Sequence, residues 1–357
     1  MKICAKFRSF VPPNPFRQGV DRMEFNRMAL PNTTQLITLM NLTNMNFKNN
    51  FLILMLISSA LILTNCGPKT SDQETNEDGT TTQAPVVDTV VTTAMVDIGE
   101  AQMEYITEGK GSTIILLPEA GMNTVYLKDL SRALAKSGHQ VVRINPRGTG
   151  KSTGKAGEIT MHTLADDVAG VIRTLQLGIV DIAGHGFGNQ VARMFTNDNP
   201  ALVRSIIMLS ANGSVAPAPD AQTAFNSALN PNTADKEGLE AMAFLVGNLG
   251  DGPPTWEAIK ASRAPEAGNI QRAALKATPA AEWELPKGAA PVLVIQGSMD
   301  RITPPANGKN LQKTIGDNRV SVVTLPGAGH MFVMNRAQET ADAMIAFVQK
   351  VENIKYN

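Results

Sequence analysis

Several features that mark whole classes of protein are scarce in this sequence. Its 357 residues include two cysteines, four histidines and 5% aromatic residues, and the formal net charge is +0. The cysteines, Cys4 and Cys66, both precede the region with folded-domain patterning, which excludes a disulfide framework and a cysteine-ligated zinc site. Without a basic run, the chain lacks the cationic surface that nucleic-acid binding requires. The histidines are scattered, so we expect no metal site and no other cofactor.

A short apolar segment near the N-terminus has the character of a targeting signal. Residues 51–63 form this segment, a few residues after Lys48. A membrane-spanning helix needs about 20 apolar residues, whereas a shorter run is typical of the apolar region of a signal peptide. We expect a signal peptide over residues 45–65 that begins at Met45, with residues 1–44 as upstream sequence from a misplaced start. An uncleaved anchor helix is the alternative.

The end of this segment resembles a lipobox, the motif that directs lipidation of a cysteine in bacterial lipoproteins. It reads Leu63-Thr64-Asn65-Cys66-Gly67, although Asn65 is larger than the residue usual before the cysteine. The resemblance implies that Cys66 carries a lipid anchor and that the protein lies at a membrane of the bacterial cell envelope, inner or outer. Residues 66–93 are rich in Thr, Asp, Glu and Gln. They predict a disordered tether, because they offer too little apolar surface to offset the chain entropy lost on folding.

From residue 94 onward, strand patterns and helix patterns alternate. The continuous apolar run Thr113–Leu117 is typical of a strand buried on both faces of a sheet, and further strands are predicted at Ile179–Ala183 and Val292–Ile295. Helical stripes that end at glycines lie between such runs. The alternation predicts an α/β fold with a mostly parallel sheet and helices on both faces, built from residues 94–213 and 287–357.

Residues 214–286 interrupt this alternation. The segment is rich in Ala, Pro and Asn and contains short helical patterns. A structureless loop of this length is unusual inside a compact domain, so we expect a helical cap inserted over the carboxyl edge of the sheet. Its large apolar side chains either line a small-molecule pocket or form the cap's own core; they are Phe225, Phe244, Leu245 and Trp256.

Four motifs follow predicted strands in a recognisable order. Gly184-His185-Gly186-Phe187-Gly188 lies between a strand and a helix, and it resembles Gly-x-Ser-x-Gly, the nucleophile elbow of the α/β-hydrolase superfamily. Gly297-Ser298-Met299-Asp300 is similar to the acid loop of that superfamily, and Gly327-Ala328-Gly329-His330 to its histidine loop. Arg147-Gly148-Thr149-Gly150-Lys151-Ser152 is similar to its loop after the fourth strand. The resemblance implies an α/β-hydrolase fold in which Asp300 orients His330.

The sequence departs from this superfamily at the nucleophile and near the oxyanion hole. Gly186 has no hydroxyl, so a serine-type acyl-enzyme cannot form there. The loop after the predicted third strand reads Pro118-Glu119-Ala120-Gly121. Ala120 and Phe187 are expected to supply the oxyanion-hole N–H groups, whereas the carboxylate of Glu119 would oppose negative charge there. Ser210 and Ser298 lie near the ends of predicted strands and are candidates to replace the missing hydroxyl. The alternative is that both are turn residues.

Two main functions stay open at this point. In the first, His330 oriented by Asp300 deprotonates a water without a covalent intermediate and hydrolyses a small ester-like substrate. In the second, the protein is a catalytically inactive pseudo-hydrolase that binds a small molecule in the cleft between cap and sheet. The histidine–aspartate pair favours the first function, whereas Gly186 and Glu119 favour the second. A purely structural role is a third alternative.

Overall fold

The computed structural model describes residues 90–155 and 157–354. The predicted signal peptide, Cys66 and the predicted tether up to residue 89 lie outside these residues. Within the described ranges, no helix is both long enough and apolar enough to cross a bilayer.

A nine-stranded, mostly parallel sheet forms the centre of the described region. In chain order its strands are β1 Val91–Asp97, β2 Ala101–Glu108, β3 Thr113–Leu117, β4 Gln140–Ile144, β5 Thr153–Gly154, β6 Val180–His185, β7 Val203–Leu209, β8 Val292–Gly297 and β9 Val320–Leu325. The spatial order is β1-β2-β4-β3-β6-β7-β8-β9, and the short β5 pairs with β2. All pairings of β2 are antiparallel, whereas neighbours from β4 to β9 run parallel.

Helices connect the parallel strands. The α-helices of the described region are α1 Lys128–Lys136, α2 Met161–Thr174, α3 Phe187–Asp198, α4 Pro219–Leu229, α5 Asp235–Leu245, α6 Gly252–Ser262, α7 Pro265–Ala277, α8 Ala280–Trp283, α9 Ala306–Ile315, α10 Phe332–Asn335 and α11 Ala337–Ile354. The order of strands and helices confirms the predicted fold class, a mostly parallel sheet flanked by helices.

Apolar side chains fill two cores, one on each face of the sheet. Because successive residues of a strand point to opposite faces, Ile114 and Leu116 of β3 pack in one core with α1 and α11, while Ile115 and Leu117 pack in the other with α2 and α3. Burying one such side chain stabilises the fold by about 1.5–3 kcal/mol. Burial on both faces explains why β3 is a continuous apolar run rather than an alternating one.

Helices α4 to α8 occupy the segment between β7 and β8, where the sequence predicts a cap. Trp256 and Leu245 are buried in the core shared by the cap and one face of the sheet, and the indole N–H of Trp256 donates to Asp235 at 2.9 Å. The ring of Phe244 faces the guanidinium of Arg301 at 5.6 Å. Of the four apolar side chains singled out in the cap, Phe225 packs edge-on against the imidazole of His330 in the predicted site.

The ordered domain begins before residue 94. Residues 91–93 belong to β1 and pair with residues 106–108 of β2. The prediction that the tether extends to residue 93 is therefore wrong at its C-terminal end. These residues are valine and two threonines, which favour strands, and the antiparallel pairing with β2 supplies hydrogen-bond partners that composition alone does not reveal.

Candidate active site

The turn between β6 and α3 holds Gly186 in a conformation typical of a sharp elbow. Its backbone angles are φ 50° and ψ −112°, in the left-handed half of the map that glycine adopts without strain. Gly184 allows the close strand–helix packing, because a Cβ placed there would lie 2.1 Å from the carbonyl carbon of Gly188. The elbow backbone therefore matches the predicted motif, and no side chain extends from its apex.

The carboxylate of Glu119 fills the space where a nucleophile side chain would extend from the elbow. A Cβ built on Gly186 would lie 1.4 Å from Oε2 of Glu119 and 2.2 Å from its Cδ. The sheet register explains this meeting, since Leu117 at the end of β3 pairs with Gly184 of β6. Glu119 and Gly186 each follow this pair by two residues, so the neighbouring parallel strands place them close together.

Both backbone groups expected to form an oxyanion hole bind this carboxylate. Oε1 of Glu119 accepts hydrogen bonds from the N–H of Ala120 at 2.6 Å and from the N–H of Phe187 at 2.8 Å. Oε2 lies 3.0 Å from Nε2 of His330. The Glu119 side chain thus takes the positions of both a nucleophile and an oxyanion, and it is only 5% exposed.

His330 and Asp300 lie together in loops that follow β9 and β8. Nδ1 of His330 is 3.0 Å from Oδ2 of Asp300, inside the distance expected for a coupled pair. The Asp300 carboxylate also accepts hydrogen bonds from the N–H groups of Ile302 and Thr303, at 2.9 and 2.8 Å, and from the Thr303 hydroxyl at 2.6 Å. These three donors fix the carboxylate that orients the imidazole.

The three groups form a buried chain of charges, Glu119–His330–Asp300. Burial by itself lowers the pKa of His330, but the charges and hydrogen bonds of Asp300 and Glu119 outweigh it and raise that pKa to about 10. Burial raises the pKa of Glu119 and of Asp300, yet the positive charge and hydrogen bond of His330 bring both below their ordinary values. At neutral pH the site therefore holds an imidazolium between two carboxylates.

His185 is a buried supporting residue of this site. Its Nε2 lies 3.0 Å from the carbonyl oxygen of His330, which can only accept, so Nε2 carries the proton. Nδ1 then accepts from the hydroxyl of Tyr126 at 3.0 Å, and that hydroxyl in turn accepts the N–H of Glu119 at 2.7 Å. Burial, aided by repulsion from His330, lowers the pKa of His185 to about 4 and keeps it neutral.

Glu119, His185 and His330 are close enough together to suggest a metal site. The hydrogen bonds of His185 speak against this use, because one nitrogen donates to a carbonyl and the other accepts from Tyr126. His185 therefore has no free lone pair to offer, and neither has His330 as an imidazolium with both nitrogens against carboxylates.

The two substitute hydroxyls considered from the sequence have other partners. The hydroxyl of Ser210 donates to the carbonyl oxygen of His330 at 2.9 Å, and the Ser298 hydroxyl accepts the N–H of Gly327 at 2.8 Å. The structure brings together Asp300, His330 and Glu119, three residues that the sequence analysis singled out. Sequence reasoning missed Tyr126, for which the sequence gives no signal, and Thr303, whose place three residues after an aspartate is the spacing of a local side-chain cap.

A cleft between the cap and the β3 loop shares Ala120 and Phe225 with the surroundings of the site. It has a volume of about 540 Å³ and is lined by residues that include Ala120, Phe225, Leu229, Pro265 and Arg272. The Phe225 ring also stands edge-on to the imidazole of His330, with 5.5 Å between ring centroids. Phe225 thus separates the cleft from the buried charges.

A histidine loop, an acid loop and an elbow that meet at the carboxyl edge of a parallel sheet define a hydrolase-type α/β domain. Residues 113–337 match the family model described as alpha/beta hydrolase fold. The chain belongs to this family.

Known proteins with similar sequences or structures include hydrolases. The chain is 24% identical over 268 residues to 2-(acetamidomethylene)succinate hydrolase of Mesorhizobium japonicum, covering 71% of this chain and 94% of that one. It is 25% identical over 267 residues to polyketide synthase ThaQ of Burkholderia thailandensis, covering 71% of this chain but only 12% of the synthase. A thermophilic esterase from Thermogutta terrifontis, solved with malate bound, has a TM-score of 0.59 and 23% identity, covering 74% of this chain and 99% of the esterase. This structural similarity is evidence for the fold alone.

Proposed function

We propose that this protein is a hydrolase in which the Glu119 carboxylate acts as the nucleophile in place of the missing serine. The observation that carries the proposal is the position of that carboxylate, 1.4 Å from where the Cβ of a residue at Gly186 would lie. Its Oε2 is 3.0 Å from Nε2 of His330, within the range that joins a nucleophile to its histidine. Asp300 would orient the imidazole, as in a serine-based triad.

A carboxylate held in this way has the properties that covalent catalysis requires. Carboxylate side chains form ester intermediates in several enzyme classes, and the lowered pKa of Glu119 keeps it ionised at neutral pH. The two N–H donors on Oε1 fix the group and leave Oε2 to attack an electrophile. In the resulting ester, the same donors would polarise the Glu119 carbonyl toward attack by water.

The charge of His330 argues against the simpler mechanism in which the resting histidine activates water. With a pKa of about 10, His330 is an imidazolium at neutral pH and cannot take a proton from water. Formation of an ester on Glu119 would remove one of the negative charges that raise this pKa. His330 could then lose its proton and serve as a base in the second half of the reaction.

A non-catalytic binding role is the second candidate. The observation that favours it is the closure of the site, since Glu119, Asp300 and His330 are at most 5% exposed and their charges are mutually paired. In that case Glu119 would block the elbow permanently. A small molecule would then bind in the cleft beside Phe225 without being converted.

The proposed location is the bacterial cell envelope. It rests on the lipobox-like sequence at Cys66, which would attach the domain to a membrane through a lipid and a polar tether. A small-molecule substrate or ligand is the expected partner, in keeping with the dimensions of the cleft.

Isotope transfer tests the nucleophile directly. Water that attacks the Glu119 ester at Cδ leaves its oxygen in the Glu119 carboxylate, so turnover in heavy-oxygen water should label this side chain. The tryptic peptide of residues 111–128 contains Glu119 as its sole acidic side chain, which makes the label easy to assign by mass spectrometry. Styrene oxide and para-nitrophenyl acetate serve as probes, one with a saturated and one with a carbonyl electrophilic carbon.

Label in this peptide after turnover of either probe supports the proposal. Glu119→Gln should abolish the opening of styrene oxide while the thermal melt shows a folded protein. Glu240→Gln, which changes an exposed carboxylate on α5, is the matched control and should behave like the wild type. Glu119-dependent opening of styrene oxide without label in the peptide would refute the covalent mechanism, and Glu119-independent binding without turnover would favour the second candidate.

A further inference from the structure

Resting on the proposed function, we infer that Glu119 attacks a saturated carbon, as in an epoxide, rather than the carbonyl carbon of an ester or amide. The substrate class depends on which oxygen of the carboxylate binds the two backbone donors, and on the charge that each reaction would develop.

The oxyanion hole is not free for a substrate. Its two N–H groups, of Ala120 and Phe187, both donate to Oε1 of Glu119, at 2.6 and 2.8 Å. Attack on a carbonyl would place negative charge on the substrate oxygen with neither donor available, and loss of a single donor costs about 10²–10³ in rate. Attack on a saturated carbon develops no such oxyanion, so the occupied hole is no obstacle to it.

The same hole is well placed for the second step of such a reaction. Once Oε2 is bonded to the substrate carbon, Oε1 becomes the carbonyl oxygen of the Glu119 ester. Water that attacks Cδ drives negative charge onto Oε1, which already accepts both N–H groups. The donors therefore stabilise the hydrolysis of an ester on the protein, not the attack on an ester of the substrate.

The proton balance fits an epoxide as well. In the first step, the Oε2–carbon bond forms, the epoxide carbon–oxygen bond breaks with its electron pair on oxygen, and that oxygen takes the proton from Nε2 of His330. In the second step, neutral His330 takes a proton from water as the water oxygen bonds to Cδ. The bond between Cδ and Oε2 then breaks, and the released alkoxide takes the proton of the new carboxyl group. The sum is epoxide plus water giving a diol, with Glu119 and His330 restored.

The cleft supplies an approach for such a molecule. It is lined by Ala120, the residue after the nucleophile, and by the apolar side chains of Phe225, Leu229 and Pro265. Because Phe225 also packs edge-on against His330, an uncharged substrate with an apolar body would displace or lie beside this ring to reach Oε2. Arg272 at the same cleft would contact a polar end of the molecule.

The test compares two probes of similar size, styrene oxide and para-nitrophenyl acetate, on the wild type, Glu119→Gln and Glu240→Gln. We expect the wild type to open styrene oxide at least about 100-fold faster than Glu119→Gln, in line with loss of a reacting group. Hydrolysis of para-nitrophenyl acetate should differ by less than about threefold between these two proteins. Glu240→Gln should match the wild type on both probes.

A trapping experiment adds a readout besides turnover. Bromide leaves without a proton, so phenethyl bromide does not need His330 as an acid in the first step. His330→Gln should therefore accumulate an alkyl ester on Glu119, detectable in the peptide of residues 111–128. A thermal melt establishes that this variant is folded.

The possible failures can be told apart. Glu119-dependent hydrolysis of the acetate, with no Glu119-dependent opening of the epoxide, would overturn the saturated-carbon inference and leave Glu119 as the nucleophile. Absence of Glu119-dependent turnover and of adducts with all three probes would refute the proposed function itself. An alkyl ester in the peptide together with diol formation supports both.

Discussion

Restoring a serine at the elbow should require two substitutions, and neither alone should suffice. In Gly186→Ser the new Cβ would lie 1.4 Å from Oε2 of Glu119, a distance at which one group must move. Glu119 cannot move cheaply, because its carboxylate is held by two N–H groups and by His330. Overpacking of this kind costs about 1–3 kcal/mol. We expect Gly186→Ser alone to be destabilised and to remain inactive toward esters.

Combining Gly186→Ser with Glu119→Gly should change the outcome. The second substitution removes the clash, leaves Nε2 of His330 for the serine hydroxyl, and frees the N–H groups of Ala120 and Phe187. Each recovered oxyanion donor is worth about 10²–10³ in rate. The double variant should therefore exceed both single variants by at least about 10²-fold in para-nitrophenyl acetate hydrolysis, which is far from additive.

Fluorophosphonate labelling is the assay that reports the serine itself. The wild type and Glu119→Gly should not label at the elbow, since neither has a hydroxyl there, whereas the double variant should label at residue 186. Equal labelling of Gly186→Ser alone would show that the carboxylate leaves its site readily, and would contradict the reasoning. Labelling of the wild type at Ser210 or Ser298 would reveal a nucleophile elsewhere.

Four further predictions address the anchor and the charges of the site. Cys66→Ala should release the protein from the membrane fraction with altered processing, whereas native soluble protein that retains residues 1–65 would contradict lipidation. In NMR spectra, the His330 ring should stay protonated from about pH 6 to 9, because its pKa is about 10, and Glu119→Gln should lower that pKa. Since this pKa is raised from 6.5 to about 10 in the folded state, the stabilisation from Glu119 pairing is full below about pH 6.5 and is lost as pH rises from there through about 10. Urea melts of the wild type and Glu119→Gln should therefore converge over that range. Tyr126→Phe, which leaves the N–H of Glu119 without its acceptor, should cost about 1–3 kcal/mol in urea melts.

Much of the fold can be predicted from the sequence, because burial on two faces imposes a readable pattern. Strand β3 and the first four residues of β8 are apolar runs, and glycine-rich turns follow β6 and β9 at the positions expected for an elbow and a histidine loop. The antiparallel N-terminal strand is harder to locate, since β1 is exposed at most of its positions and has little apolar signal. Its start at Val91 depends on pairing with β2, a contact between residues distant in the chain.

The site is predicted less completely, for a physical reason. The sequence places Glu119 near the oxyanion hole but does not give the rotamer that brings its carboxylate onto both N–H groups. That rotamer depends on the register between β3 and β6 and on the space that Gly186 leaves empty. The charge of His330 depends on the same contact, so the sequence alone predicts a neutral base where the structure has an imidazolium.

The register between β3 and β6 also bears on how inactive members of an enzyme family are recognised. Parallel strands side by side end at one edge, so a reactive group on either strand can be delivered to the same point in space. A search that looks for a hydroxyl at residue 186 would classify this chain as catalytically inactive. A search for any ionised group within hydrogen-bond distance of the histidine would instead find Glu119, which lies in the loop after the neighbouring strand β3. The geometry around the histidine is therefore a better criterion than the residue type at the elbow. It distinguishes a domain without a nucleophile from one whose nucleophile lies on another strand or loop.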